Sequence, residues 1–196
     1  SSEFDVLIGS VSGSGTLRLE LNASGTGIAD LGGRAIAGGF TAGQIYAPLT
    51  ASFPVAWGRN ASGRLGDNTT TERHVPVAIK TDDKLAGRFL VDLKAGDFYS
   101  LGLTADGRAF AWGSNDYGQL GLGTTTDASA PQPVKTDGVL ADKTLVALAA
   151  GGYHALALDS DGKVYAWGRN SNGQLGNGTT TSSSVPVVVK MTGVLA

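Results

Sequence analysis

The sequence predicts an all-β fold made of β-propeller blades, each with four antiparallel strands. Three observations predict this fold. One motif occurs three times at an unvarying step of 55 residues, each copy carries a Trp-Gly and glycine-rich signature, and apolar runs flank Asp-Gly pairs. A period of about 40 to 55 residues with a Gly/aromatic signature is typical of propeller blades. The chain therefore holds about 2.5 to 3 repeats, which make an incomplete ring.

The repeated motif begins at Trp57, Trp112 and Trp167. Each copy continues with Gly, with Asn at the third residue after the Trp, with a Leu-Gly pair and with a Thr triplet. The same step holds outside the motif, at Pro76, Pro131 and Pro186 and at Lys80, Lys135 and Lys190. Because any insertion would break this step, the repeats are units of one length.

The first strands of a repeat are clearest in the second unit. Apolar runs at residues 145–149 and 154–158 predict a buried strand and its neighbour. Asp161-Gly162 then predicts a tight hairpin, because both central residues of a type I′ turn take positive φ. The return strand covers residues 163–168. The first unit repeats the plan with Asp106-Gly107 and with strands at residues 89–95, 99–103 and 108–113.

The glycine-rich segment after each Trp-Gly predicts a long loop, followed by the last strand of the blade. Asn68 replaces Gly123 and Gly178 in the first copy, and Asn tolerates the left-handed region better than most residues. We therefore expect positive φ at all three positions. The last strands are predicted at residues 75–80, 131–135 and 185–190. Pro near the start of each indicates an outer blade edge.

The motif from Trp112 to Gly123, together with the later Gly151-Gly152-Tyr153-His154-Ala155, resembles the repeat of the regulator of chromosome condensation family. The resemblance covers residues 55–196, and three tandem copies make it specific. Members of that family fold as seven-bladed propellers. The resemblance therefore implies the fold that the periodicity predicts.

Two positions depart from the family pattern. Tyr99 stands where the second unit has His154, and Arg64 stands where the other copies have Gln. These departures argue against a mechanism that needs the same His in each blade.

The repeats are too few to close a ring. Seven units would need roughly 385 residues, whereas the chain has 196. An open array exposes sheet edges unless another chain covers them. We therefore expect either a homo-oligomer or a fragment of a longer chain.

The chain divides into residues 51–196, which carry the repeats, and a β-rich segment at residues 1–50. Residues 16–22 alternate apolar and polar side chains, and the surrounding Gly/Ser/Ala/Asp-rich sequence resembles the end of a bacterial immunoglobulin-like domain. Alternatively, residues 37–42 echo residues 150–155 and mark a degenerate half-blade. Both interpretations stay open.

Composition excludes several classes of function. The net charge is −2, with a pI near 5.6, so no basic stripe is available for nucleic acid. No apolar run reaches the roughly 18 to 20 residues that span a bilayer. The absence of cysteine excludes disulfides and thiolate metal sites. Together with 30 Gly, this composition predicts a bacterial protein at the cell surface or outside the cell, and the alternative is a bacterial cytosolic protein of similar composition.

Candidates for catalysis are few. Ser160 and Lys163 have the Ser-x-x-Lys spacing, in which Lys activates Ser, but that pair needs a helix and here spans a predicted turn. His154 lies on an apolar strand, where a structural role is typical. We predict no metal site and no cofactor, and an enzyme is not the favoured interpretation.

The sequence offers more candidate residues for binding than for catalysis. The loops differ between copies, and the candidates for ligand contact are Arg59, Arg64, Asp116, Tyr117 and Arg169. Arg and Tyr are enriched at interface hot spots. The alternative is that these side chains are simply solvated.

Three functions follow from these observations. The favoured one is a non-catalytic protein-interaction or adhesion module of a bacterial repeat protein, which binds a protein or surface ligand through propeller loops. The alternative is a hydrolase of the esterase or lactamase type, with a site assembled on or between blades. The third is guanine-nucleotide exchange on a small GTPase, as in the founding members of the family that the repeats resemble. Balanced charge and the incomplete ring argue against it.

Overall fold

A computed structural model of the chain describes residues 54–190, which form ten strands. They are β1 (Val55–Gly58), β2 (Arg73–Ala78), β3 (Leu90–Ala95), β4 (Tyr99–Thr104), β5 (Ala109–Gly113), β6 (Ala128–Pro133), β7 (Leu145–Ala150), β8 (His154–Asp159), β9 (Val164–Gly168) and β10 (Ser183–Val188). Among these residues there is no helix that could cross a membrane. The predictions for residues 1–50 lie outside the described residues.

The strands form two complete blades and the outer half of a third. Strands β3 to β6 make one antiparallel four-stranded sheet in chain order, and β7 to β10 make the next. β1 and β2 pair with each other and correspond to β5 and β6 one repeat earlier. The all-β prediction, with four antiparallel strands in each blade, is confirmed.

The two predicted Asp-Gly hairpins are present, but the prediction of their turn type was wrong. Only the glycines have positive φ, 75° at Gly107 and 81° at Gly162. The Gly107 amide donates to the Thr104 carbonyl at 2.9 Å, and the Thr104 amide donates to the Arg108 carbonyl at 2.9 Å. This is a three-residue connection, in which a type I turn is followed by a left-handed glycine.

The last strand of each blade begins earlier than predicted. Pro76, Pro131 and Pro186 each occupy the fourth position of their strand and do not start it. These strands lie at a sheet edge, and their pairing changes register next to the proline. An edge strand with a bulge tolerates a residue without an N–H, so proline does not mark the strand start.

The first strand of the second blade is less buried than its apolar sequence predicts. Leu145 and Leu148 in β7 are buried, whereas Val146 is 51% exposed. The prediction of a buried strand was therefore wrong for half of its side chains. The buried side chains of β7 face the neighbouring blade, whereas no further blade within residues 54–190 covers the other face of the sheet.

The hydrophobic core lies between adjacent blades. It joins Tyr99 and Leu101 of the first complete blade to Ala155 and Trp167 of the second. The Trp112 indole donates to the carbonyl of Arg64 at 3.0 Å, and the Trp167 indole donates to that of Gln119 at 2.9 Å. The second and third copies of the motif thus each insert a buried tryptophan beneath the long loop of the preceding copy, and this contact fixes the blade spacing, whereas Trp57 of the first copy is 62% exposed.

Candidate functional site

Two kinds of loop meet at one end of each blade. In an antiparallel meander, the first-to-second and third-to-fourth connections lie at the same end of the sheet. We call the surface formed by residues 59–72, 96–98, 114–127, 151–153 and 169–182 the loop face. The Asp-Gly hairpins lie at the opposite end.

A buried asparagine holds each long loop. Asn115 Nδ2 donates to the carbonyls of Thr124 and Thr126 at 2.9 and 3.0 Å, and Asn115 Oδ1 accepts from the Leu120 amide at 3.0 Å. Asn60 and Asn170 make the same contacts in the other copies. One side chain therefore pins three points of the loop backbone, and the exposed side chains are free to differ.

The backbone conformation of the loop also repeats. Gly123 and Gly178 have φ of 79°, and Asn68 has φ of 63° at the corresponding position. The prediction that Asn68 adopts the left-handed region is confirmed. The first copy therefore keeps the loop conformation without its glycine.

Arginine and aromatic side chains form a continuous row across the loop face. Arg64 lies over the Phe98 ring at 4.8 Å, and Phe98 and Tyr153 have ring centroids 5.6 Å apart. Tyr153 meets Tyr117 edge to face at 5.2 Å. Arg169 lies 5.3 Å from the Tyr117 centroid and 5.9 Å from that of Tyr153. We call these five residues the arginine–aromatic row; distances of this size are typical of cation–π contacts.

The two arginines of the row carry charge without an ionic partner among residues 54–190. Arg64 Nη1 donates to the Asp97 carbonyl at 3.1 Å, and Arg169 Nε donates to the Ser171 hydroxyl at 2.9 Å. No described carboxylate forms a salt bridge with either arginine. Burial, followed by the charge of Arg59, lowers the pKa of Arg64. Within the described part of the chain, Arg64 Nε is buried and has no hydrogen-bond partner.

Three of the five predicted binding residues, Arg64, Tyr117 and Arg169, lie in the row. Asp116 is exposed beside it and accepts a hydrogen bond from the Ser114 hydroxyl at 3.2 Å. Arg59 is also exposed. Whether these residues bind a ligand stays a prediction.

Sequence reasoning missed Phe98 and Tyr153, the two residues at the centre of the row. Both stand immediately before the second strand of a blade, 55 residues apart. An aromatic residue recurring at this first turn was the signal that could have found them.

The catalytic candidates do not come together. Ser160 and Lys163 are exposed on the hairpin after β8, whereas His154 begins that strand. The six residues of β8 place His154 about 20 Å from the hairpin, since each residue of a strand advances about 3.3 Å. The Ser160 amide donates to the Thr144 carbonyl, and the Lys163 amide donates to Asp159 Oδ1 at 2.8 Å, so these backbone groups hold the turn.

The geometry also offers no ready metal site. Within the described residues, no three His, Asp or Glu side chains cluster as a metal ion requires. The loop face carries the arginines and aromatic rings of the row, with the exposed carboxylates of Asp97 and Asp116 beside them.

Comparison with known proteins supports this architecture. The model of the regulator of chromosome condensation (RCC1) repeat matches residues 56–103, 106–158 and 161–194. A second model of the same repeat matches residues 90–119 and 145–174. Together these matches span the three repeats identified from the sequence.

Two proteins with similar sequences are much longer than this chain. The E3 ubiquitin-protein ligase HERC2 of Homo sapiens is 37% identical over 135 residues, which are 69% of this chain and 3% of that protein. The ultraviolet-B receptor UVR8 of Arabidopsis thaliana is 36% identical over 139 residues, which are 70% of this chain and 30% of that protein.

Solved structures show the same fold. Human WBSCR16 matches with a TM-score of 0.61 and 29% identity over 71% of this chain and 35% of its own. Yeast RCC1 (Prp20), crystallised with Kap60, matches with a TM-score of 0.56 and 23% identity over 71% and 34%. From its repeats, its blades and these similarities, the chain belongs to the regulator of chromosome condensation (RCC1) repeat family.

Proposed function

We propose that this chain is a non-catalytic protein-interaction module that binds its partner through the loop face. The observation that carries the proposal is the arginine–aromatic row. Arg and Tyr are the residues through which interfaces gain most of their binding energy. Here they are grouped on one surface, and buried asparagines pin the long loops that carry Arg64, Tyr117 and Arg169.

Preorganisation favours binding by this surface. Tyr117 is 39% exposed, and the other four residues of the row are partly buried, so the rings are held and still reachable. Holding side chains before binding lowers the entropy lost on association. Proteins similar to this chain also have protein partners: yeast RCC1 (Prp20) was crystallised with Kap60, and Prp20p was studied for its binding to Gsp1p and histones.

We further propose that the module serves adhesion at a bacterial cell surface. The support is compositional, namely the absence of cysteine and the 30 glycines in tandem repeats. A homo-oligomeric assembly stays a prediction of the incomplete ring.

The geometry does not favour the hydrolase alternative. Ser160 and Lys163 lie on a hairpin with no helix to align them, and His154 is at the far end of β8. Chromogenic ester and β-lactam substrates test this alternative directly. We expect no turnover above a Ser160→Ala control, and turnover lost in that variant would revive the hydrolase hypothesis.

An unbiased peptide-display selection against the purified chain tests the interaction function. The enriched clones are then rebound to Tyr153→Ala, which removes the centre of the row, and to Arg108→Gln. Arg108 is exposed on the hairpin between β4 and β5, at the end of the neighbouring blade that lies opposite the loop face, so its replacement is a surface control away from the row.

We expect the enriched clones to lose binding to Tyr153→Ala and to keep binding to Arg108→Gln. Unchanged melting temperatures in both variants would show that the fold is intact. Clones that bind both variants equally, or no enrichment over the bare support, would contradict a loop-face interaction module.

A further inference from the structure

The chemistry of the row restricts what it can bind. A guanidinium group stacked on an aromatic ring keeps its N–H fork at the ring edge, where it can take a carboxylate with two parallel hydrogen bonds. Arg64 and Arg169 lie at the two ends of the row, and neither forms a salt bridge with a carboxylate of residues 54–190. The partner must therefore bring its own acidic groups to both ends.

The spacing of the row fits an extended peptide. From Arg64 through Phe98 and Tyr153 to Arg169, the successive steps are 4.8, 5.6 and 5.9 Å. In a strand, side chains at i, i+2 and i+4 share one face and span about 13 Å. Such a strand can set an acidic side chain near each arginine and a central apolar side chain on the rings between them.

The overall charge argues against a nucleic acid in this position. The chain has a net charge of −2, and Asp97 and Asp116 lie next to the row. A polyphosphate would meet repulsion at both of these carboxylates and gain only a few cationic contacts, whereas nucleic-acid binding depends on many. A short segment with two carboxylates meets less of this repulsion than a polyphosphate, because it carries fewer negative charges and places them at the arginines.

Resting on the proposed function, we infer that the arginine–aromatic row binds an extended acidic segment of a partner protein. Acidic side chains at i and i+4 pair with Arg64 and Arg169, and an apolar or aromatic side chain at i+2 packs on Phe98 and Tyr153. This defines a recognition motif of the form acidic-x-aromatic-x-acidic.

Fluorescence anisotropy with a labelled Glu-Ser-Phe-Ser-Glu peptide, flanked by Gly-Ser, tests the inference. The controls are a peptide with both Glu changed to Gln and a peptide with Phe changed to Ser. We expect the acidic aromatic peptide to bind at least about tenfold more tightly than either control, because each loses charge-assisted or ring contacts. Raising the salt concentration weakens this binding, since exposed charges are screened.

Variants of the chain locate the contact. Arg169→Gln and Arg64→Gln each weaken binding of the acidic peptide about tenfold. Arg169→Lys keeps the charge but loses the planar fork, and weakens binding by several-fold. Arg108→Gln removes one positive charge from the hairpin between β4 and β5, at the end opposite the loop face, and leaves binding unchanged. Asp116→Asn removes a repelling carboxylate and strengthens binding.

Three outcomes would overturn the inference. Equal binding of the acidic and Gln peptides would show that the acidic charges do not contribute to binding. If Arg108→Gln weakens peptide binding as much as Arg64→Gln and Arg169→Gln do, the effect comes from the overall charge of the chain and not from the row. A single-stranded oligonucleotide that binds as tightly as the peptide would show general attraction for polyanions. If display selection yields loop-face binders without acidic residues, the interaction function stands while this partner chemistry fails.

Discussion

At the scale of single residues, Asp67 is the most informative side chain of the long loops. Its Oδ1 accepts hydrogen bonds from Asn60 Nδ2 at 3.1 Å and from the Thr69 hydroxyl at 2.7 Å, and its Oδ2 meets Arg73 at 2.7 Å. Burial acts to raise the pKa of Asp67, but the hydrogen bonds from Thr69, Arg73 and Asn60 outweigh it and lower that pKa. Asn177 takes the same hydrogen bonds in the third copy without a charge.

Replacing Asp67 by Asn separates the hydrogen bonds from the charge. The amide oxygen keeps the contacts with Asn60 and Thr69, as Asn177 does, but the ion pair with Arg73 is lost. We expect Asp67→Asn to lower the free energy of unfolding at neutral pH by about 1 kcal/mol.

The pH dependence of this difference has a defined sign. A carboxylate whose folded pKa is depressed contributes stability above its unfolded pKa of about 3.9, and loses it as pH falls through the folded pKa. Denaturant unfolding of both proteins at neutral and acid pH measures the difference. It should vanish in acid, and a difference independent of pH would contradict the assignment.

At the scale of elements, the long loop is ordered by its buried asparagine. Asn115→Ala removes three hydrogen bonds and leaves the buried Leu120 amide unpaired, so we expect a loss of roughly 3 kcal/mol in the free energy of unfolding. Asn172→Ala is the control, because Asn172 is exposed in the equivalent loop of the next repeat and should change stability by less than about 0.5 kcal/mol. Chemical denaturation that gives equal losses for the two variants would rule out this role for Asn115.

Element boundaries were predicted less well than element identity. The hairpins at Gly107 and Gly162 follow from short-range backbone chemistry, so the Asp-Gly signal was enough to place them. The start of the last strand could not be placed from Pro131, because an edge strand with a bulge accepts proline at its centre. The exposure of Val146 likewise depends on which face of the sheet a neighbouring blade covers, which apolar content alone does not reveal.

At the scale of the whole molecule, stability depends on contacts that each repeat makes with the next. The same glycine in two copies shows this. Gly118 and Gly173 both have φ of 76°, yet a Cβ at Gly118 would lie 2.4 Å from Ser184 Cα, while a Cβ at Gly173 would meet nothing within 4 Å. Within residues 54–190, a following blade packs on Gly118 and none packs on Gly173.

Substitutions at Gly118 and Gly173 allow the contribution of the contact between blades to stability to be measured against an internal control. Gly173→Ala should cost only the left-handed strain of about 1 to 2 kcal/mol. Gly118→Ala adds a backbone clash between blades, so we expect it to be clearly less stable, as measured by thermal unfolding of the two variants side by side. Equal melting temperatures would mean that the described blades do not pack through this glycine.

The propeller could be predicted from the sequence, whereas the row could be predicted only in part. The fold could be predicted because the 55-residue step requires repeated structural units of one length. Arg64, Tyr117 and Arg169 could be predicted because these positions vary between equivalent loops. Phe98 and Tyr153 come from the first turns of successive blades. Their contact depends on the twist between the two sheets, which residue spacing does not encode.

Trp112 and Trp167, which lie beneath the long loop of the preceding repeat, have a consequence for how such a protein can diversify. The indole donates a hydrogen bond to a main-chain carbonyl, and the asparagine of the loop also forms hydrogen bonds with main-chain groups. Neither contact therefore depends on the side chains that point outward. Point changes at those outward positions can therefore alter the exposed surface without a change in chain length or register. A family of proteins with new ligands could arise by copying one gene segment and editing a few codons in each copy.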